Sequence, residues 1–147
     1  MSPIVNGAYE ARLSTRFPSV EEGLDALRDK IRRARKIRIS NVPGFLVEEL
    51  APLLDNKDLM LILPRGEEPS DRLTGLGDIA VSKSRIFVDL GGREVESGTF
   101  SFSDRTFSVL WTGDEIVEVA TMDYSKCAKC MLETFDMGWR YSRKLGH

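Results

Sequence analysis

Two groups of side chains in this 147-residue sequence have the types and spacing for chemistry. The first is the run Ser82, Lys83, Ser84 and Arg85, hydroxyls and cations set between two short apolar runs, residues 79–81 and 86–88. Runs rich in β-branched and aromatic residues and bounded by glycine read as buried strands. A polar knot between two such strands falls where strands end or turn, the place where α/β sheets present binding groups. The second is the pair Cys127 and Cys130, spaced as half of a metal or redox motif. Arg65 stands apart from both. It follows the apolar run 59–63, so it leaves the end of a strand and can face a crevice.

Nucleophilic catalysis is poorly supplied. His147 is the only histidine, so a Ser-His-Asp or Cys-His arrangement cannot be built inside one chain. Neither a nucleophile elbow nor a phosphate-binding glycine loop occurs. Carboxylate work by Asp78, Asp89 or Glu96 is conceivable, yet isolated carboxylates in hairpins usually form turns or face solvent. For Cys127 and Cys130, a zinc site needs further ligands, which only a second copy across a dimer axis would supply. A redox role calls for a thiol at a helix N-terminus. The plainest alternative is two small residues packing a late helix onto the sheet. Metal ligation by this pair is therefore a weak candidate, no cofactor is expected, and no catalytic residue is assigned.

The elements that position these residues follow from patterning. Ser19 followed by Glu22 is a capping box, and Leu24, Leu27, Ile31 and Ala34 mark the buried face of a helix through about residue 35. Its other face carries Arg28, Lys30, Arg32, Arg33, Arg35 and Lys36 and reads as a solvated face. A short strand at 37–40, a helix from 45 to about 51 ended or distorted by Pro52, and a continuously apolar strand at 59–63 follow. Continuous apolar character means burial on both faces, hence parallel strands covered by helices. Beyond a loop with one helical turn near 70–73, Gly91-Gly92 closes a tight hairpin. Residues 106–111 and 115–120 form another hairpin. A last helix is expected from about Ser125 to Gly146, with Met131, Leu132, Phe135 and Trp139 on its apolar stripe. The expected fold is α/β, a mixed β-sheet of about five to seven strands flanked by helices. Residues 1–18 form an N-terminal arm, with Tyr9, Leu13 and Phe17 at helical spacing, and residues 19–147 form a single domain.

Composition bounds the setting. A net charge of −2 gives no global field for nucleic acid or anionic membrane. No apolar run is long enough to span a bilayer, and two cysteines are too few for a disulfide scaffold. A cytoplasmic location is expected, with no membrane partner.

The order of helix 19–35, strand 36–40, strand 59–64 and the run Ser82-Lys-Ser-Arg-Ile-Phe-Val-Asp89 resembles the phospholipase D-like fold. In detail it resembles the effector-binding domains of archaeal TrmB-type transcriptional regulators. The phospholipase D motif reads HxK, four residues, D, then a downstream Gly-Ser and Asn. Aligned on Asp89, Ser82 and Ser84 occupy the histidine and lysine positions, and Gly98-Thr99 falls near the Gly-Ser. The resemblance implies a catalytically inactive ligand-sensing domain, not an enzyme, that binds a sugar or sugar phosphate and acts in transcription regulation. Ser40, Asn41, Arg65, Ser82 and Ser84 would supply its hydrogen bonds and Trp111 a stacking face. It also implies a homodimer and a separate DNA-binding domain or partner chain, because residues 1–18 cannot hold a winged helix; direct nucleic-acid binding is not expected. The alternatives are a protein–protein interaction or dimerisation module, and a metal-dependent phosphodiesterase using Asp89.

Overall fold

A computed structural model of the chain describes residues 14–123 and 128–145. The expected helix start at Ser125, together with Tyr9, Leu13, Cys127, Gly146 and His147, lies outside them. The parallel core forms as the patterning requires. Helix α1 (Val20–Arg33) starts at Ser19, whose Oγ accepts the Glu22 N–H at 3.2 Å. It buries Leu24, Leu27 and Ile31. Strand β2 (Lys36–Ser40) then pairs in parallel with β3 (Asp58–Leu63), and β3 in parallel with β4 (Asp78–Val81). Between them, helix α2 (Gly44–Leu54) runs through Pro52 instead of ending near Ala51. Pro52 lies in the last turn on the exposed side, where the N–H it lacks costs a single bond to the Glu48 carbonyl, while Leu50 and Leu54 hold the turn in the core. A single turn, α3 (Asp71–Thr74), follows β3.

The second half is antiparallel. Strand β5 (Phe87–Leu90) and β6 (Arg93–Ser101) meet at a two-residue turn. Gly91 and Gly92 there have φ of 60° and 85°, which only glycine adopts without strain. Strands β7 (Arg105–Thr112) and β8 (Glu115–Asp123) complete the meander, and β6 also pairs with β2 through Thr99 to Ser101. Residues 14–16 of the expected arm are no helix but an edge strand, β1 (Ser14–Arg16), antiparallel to β8. Phe17 follows it and stacks on Phe107. Helix α4 (Ala128–Arg140) ends before the expected stop at Gly146. The chain turns instead into β9 (Arg143–Lys144), antiparallel to β4. The described residues thus form one nine-stranded mixed sheet, wider than the five to seven strands the sequence pattern predicts.

Alternation along the strands sends side chains to two layers. Ile37, Ile39, Leu61, Leu63, Ile79, Val81 and Phe100 meet α1 and α2 on one face. Ile62 and Ala80 meet Phe135 and Trp139 of α4 on the other. One expectation fails here. The run 86–88 is no buried strand, since Ile86 is 51% and Phe87 49% exposed. Among the described residues, strand β5 pairs only with the end of β6 that projects past β2, and no helix of the core covers it.

Candidate functional site

Strands β2 and β3 end side by side, and their exits build the site. The chain leaves β2 through Asn41, which is buried and has φ of 56°, a left-handed conformation that asparagine tolerates better than most residues. Its N–H donates to the Ile62 carbonyl at 2.9 Å, its Nδ2 to the Ser97 carbonyl at 2.9 Å, and its own carbonyl accepts Trp111 Nε1–H at 2.9 Å. Asn41 therefore ties together the ends of β2 and β3, strand β6, and Trp111 of β7. Gly98 makes this approach possible, because a Cβ there would sit 2.5 Å from the Asn41 carbonyl oxygen.

Helix α2 begins just beyond, and its N-cap Pro43 has no side-chain hydrogen bond to give. Glu67, from the loop after β3, takes that role: its carboxylate accepts the Gly44 N–H at 3.1 Å. Burial pushes the Glu67 carboxyl above the usual range; the Gly44 N–H opposes this, and the nearby Glu96 and Glu48 charges add to it.

A cavity of about 410 Å³ opens at these strand ends. Trp111, Phe45 and Phe87 give it aromatic walls; Arg65 and Arg85 bring cations, and Glu67, Glu94 and Glu96 bring carboxylates. The hairpin register organises one wall. Phe87 stands opposite Glu96 across β5 and β6, and Glu96 stands opposite Trp111 across β6 and β7. Glu96 thus lies between two aromatic residues in a row across three strands. It is only 7% exposed, and its Oε1 is buried without a hydrogen-bond partner among the described residues.

The predicted binding residues divide three ways. Arg65 and Trp111 line this cavity, and Asn41 lies under Trp111. Ser40 lies elsewhere: it pairs with Thr99 and, with Ser97 and Ser101, floors a 240 Å³ recess beneath α4. Ser82 and Ser84 line neither. Ser82 Oγ donates to the Ser84 carbonyl at 2.7 Å and accepts the Ser84 N–H at 3.2 Å, so the pair closes its own turn. Asp89 is likewise a turn residue, accepting the Gly92 N–H at 3.0 Å. The polar knot contributes only Arg85 to the cavity. Cys130 is disulfide-bonded, and a sulfur in that state offers no thiolate to a metal. Among the described residues, no group of three or more histidine, cysteine, aspartate or glutamate side chains converges to hold a metal ion.

Phe45, Glu67, Phe87 and Glu94 escape a reading of the sequence, Arg85 is named only as part of the polar knot, and Glu96 is misread as a solvated or turn-forming carboxylate. For Glu96 a signal exists. A two-residue turn at Gly91-Gly92 pairs Leu90 with Arg93, and counting outward brings Phe87 opposite Glu96. Glu67 and Phe45 carry no such signal, because loop paths bring them in.

No protein-family model matches the sequence, and no curated protein sequence matches it. Solved structures do. The chain aligns with TrmBL2, an archaeal chromatin protein described with a novel mode of DNA binding, at a TM-score of 0.59 and 9% identity, over 90% of this chain and 53% of that one. It therefore spans about half the length of TrmBL2. It aligns with Nuc from Salmonella typhimurium, a phospholipase D family member, at a TM-score of 0.54 and 11% identity, over 91% of this chain and 97% of that one. NucT from Helicobacter pylori aligns at 0.59 and 8% identity, over 90% and 97%. The chain has a phospholipase D-like fold, shared with TrmBL2. One expectation is overturned by these neighbours. The reading as a non-enzyme rested on serines at the HxK positions, yet the fold is shared along nearly all of Nuc, a phospholipase D family member. Among the described residues no helix is long and apolar enough to cross a membrane.

Proposed function

We propose that the chain is a ligand-binding domain whose cavity at the ends of β2 and β3 takes a small polar metabolite such as a sugar or sugar phosphate. One observation carries the reading: two guanidiniums, Arg65 and Arg85, meet the aromatic walls Phe87 and Trp111 in one cavity at the C-terminal ends of parallel strands. Open α/β sheets bind their ligands at such ends. Guanidiniums hold phosphate or carboxylate, and aromatic faces pack against a sugar's apolar side. The shared fold with TrmBL2, a chromatin protein described with a novel mode of DNA binding, supports a DNA-related setting. In that setting the domain would be the effector-binding part of a cytoplasmic regulator, completed by a homodimer and a separate DNA-binding domain or chain. The basic face of α1 fits this division, since Arg28 pairs with Asp25, Lys30 with Asp104 and Arg32 with Asp29, which leaves less free charge there for nucleic acid. Titration calorimetry against a panel of sugars and sugar phosphates tests the reading. Binding that weakens about tenfold or more in Arg65→Ala supports it. No heat from any panel member at millimolar concentration counts against it.

A second reading is favoured by the neighbouring carboxylates Glu67 and Glu96, one with a raised pKa, together with the fold shared with Nuc. Such a pair can divide general acid and general base work. On this reading the cavity hydrolyses a phosphodiester. Bis(p-nitrophenyl) phosphate would then be cleaved by the wild type and by Asp89→Asn but not by Glu96→Gln. Loss of cleavage in Asp89→Asn alone would place the chemistry elsewhere.

A further inference from the structure

The carboxylate of Glu96 is hard to account for as a structural group. Its residue is more than nine-tenths buried, it faces the cavity, and Oε1 has no hydrogen-bond partner among the described residues. A buried polar group without a partner costs free energy, and a buried charge costs more. Ser97 and Thr99, its near neighbours along β6, alternate to the opposite face and cannot serve it. What does flank it is Phe87 on one side and Trp111 on the other, directly opposed in the strand register. Directly opposed side chains in antiparallel strands have Cβ atoms about 4.5–5.5 Å apart. The Trp111 N–H is already committed to Asn41, so the indole offers its π system and not its donor.

We infer that the ligand of this cavity carries an ammonium group and that Glu96, between Phe87 and Trp111, receives it. This rests on the binding-site reading above and names the ligand class. An ammonium group is the complement of a desolvated carboxylate beside aromatic rings: it donates to Oε1, neutralises the charge and is attracted by the ring faces. The rest of the lining sets the other end of the ligand. Glu67 and Glu94 reinforce the negative potential around Glu96, and a purely anionic ligand would meet three carboxylates with only Arg65 and Arg85 in favour. A purely cationic ligand would leave those two guanidiniums unmatched. A zwitterion satisfies both, with its ammonium at Glu96 and its phosphate or carboxylate at Arg65 and Arg85. An amino-sugar phosphate has these groups on a body that suits a cavity of about 410 Å³.

The test is calorimetry on the full chain with three matched probes: glucosamine 6-phosphate, glucose 6-phosphate and N-acetylglucosamine 6-phosphate. The inference expects glucosamine 6-phosphate to bind at least tenfold more tightly than the other two, which lack the cationic amine. It also expects the preference to collapse to within twofold in Glu96→Gln. The acetylated probe makes the same comparison on unaltered protein, so the result does not hang on how the variant folds. Equal or tighter binding of glucose 6-phosphate overturns the ammonium inference and leaves the binding-site reading standing. A preference that survives in a folded Glu96→Gln overturns the role of Glu96. No binding of any probe at millimolar concentration overturns both.

Discussion

Glu96 and Trp111 stand directly opposite one another on β6 and β7, and the indole is fixed there by its hydrogen bond to the Asn41 carbonyl. That relationship links the scaffold to the cavity: the bond that closes the ends of β2, β3 and β6 also holds the aromatic wall beside the buried carboxylate. Replacing Trp111 by Phe removes the donor and leaves a small void. The expected loss is about 1–3 kcal/mol, from an unpaired buried carbonyl and lost packing. Urea denaturation reads it, and an unchanged midpoint would mean that the Asn41 bond is dispensable.

Gly98 is the second support of this junction. Its added Cβ in Gly98→Ala would meet Asn41 O at 2.5 Å and Val42 Cγ2 at 2.8 Å, and the first of these is backbone that cannot step aside. A loss of about 1–3 kcal/mol is expected, as for other overpacked cores. Ligand affinity should fall with it, because Asn41 and Trp111 would shift together. Denaturation with calorimetry on the same variant checks both.

Glu67 gives the fold a pH dependence of defined sign. Its carboxyl titrates higher in the folded chain than in the unfolded one, chiefly through burial. Between the unfolded value near 4.5 and the raised folded value, the folded chain holds a proton that the unfolded chain has released. Stability therefore falls as pH rises through that window, and this part of the loss persists above it. Glu67→Gln keeps an acceptor for the Gly44 N–H but cannot ionise. The variant should gain on the wild type as pH rises from about 4 to 7. Thermal melts across that range measure the difference, and a variant that loses ground to the wild type as pH rises would contradict the assignment.

Much of the scaffold is legible in the sequence for identifiable reasons. The capping serine at 19, the period of Leu24, Leu27 and Ile31, the unbroken apolar run of β3 and the glycines at 91 and 92 are local signals, and each produces its element. What local signals cannot say is which strand is covered. Residues 86–88 have the composition of a buried strand, yet β5 pairs with a part of β6 beyond the reach of β2. The site divides in the same way. Arg65 follows from its place after a strand end, whereas the hairpin pattern by itself makes Trp111 a core residue, and it is buried. Ser82 and Ser84, prominent in the sequence, satisfy each other in a turn. Phe45, Glu67 and Arg85 reach the cavity through loops whose course no periodicity encodes.

The sequence has two tryptophans, and the fold places them on opposite faces of the sheet: Trp111 on the cavity, Trp139 packed with α4 against Ile62 and Ala80. Their indole N–H resonances in a 15N-labelled sample, assigned with Trp139→Phe, form a built-in pair of probe and control. Titration with sugar phosphates should move the Trp111 resonance in a saturable way and leave that of Trp139 in place. A titration in which Trp111 stays fixed to millimolar ligand, or in which Trp139 moves instead, would contradict a ligand site at the ends of β2 and β3.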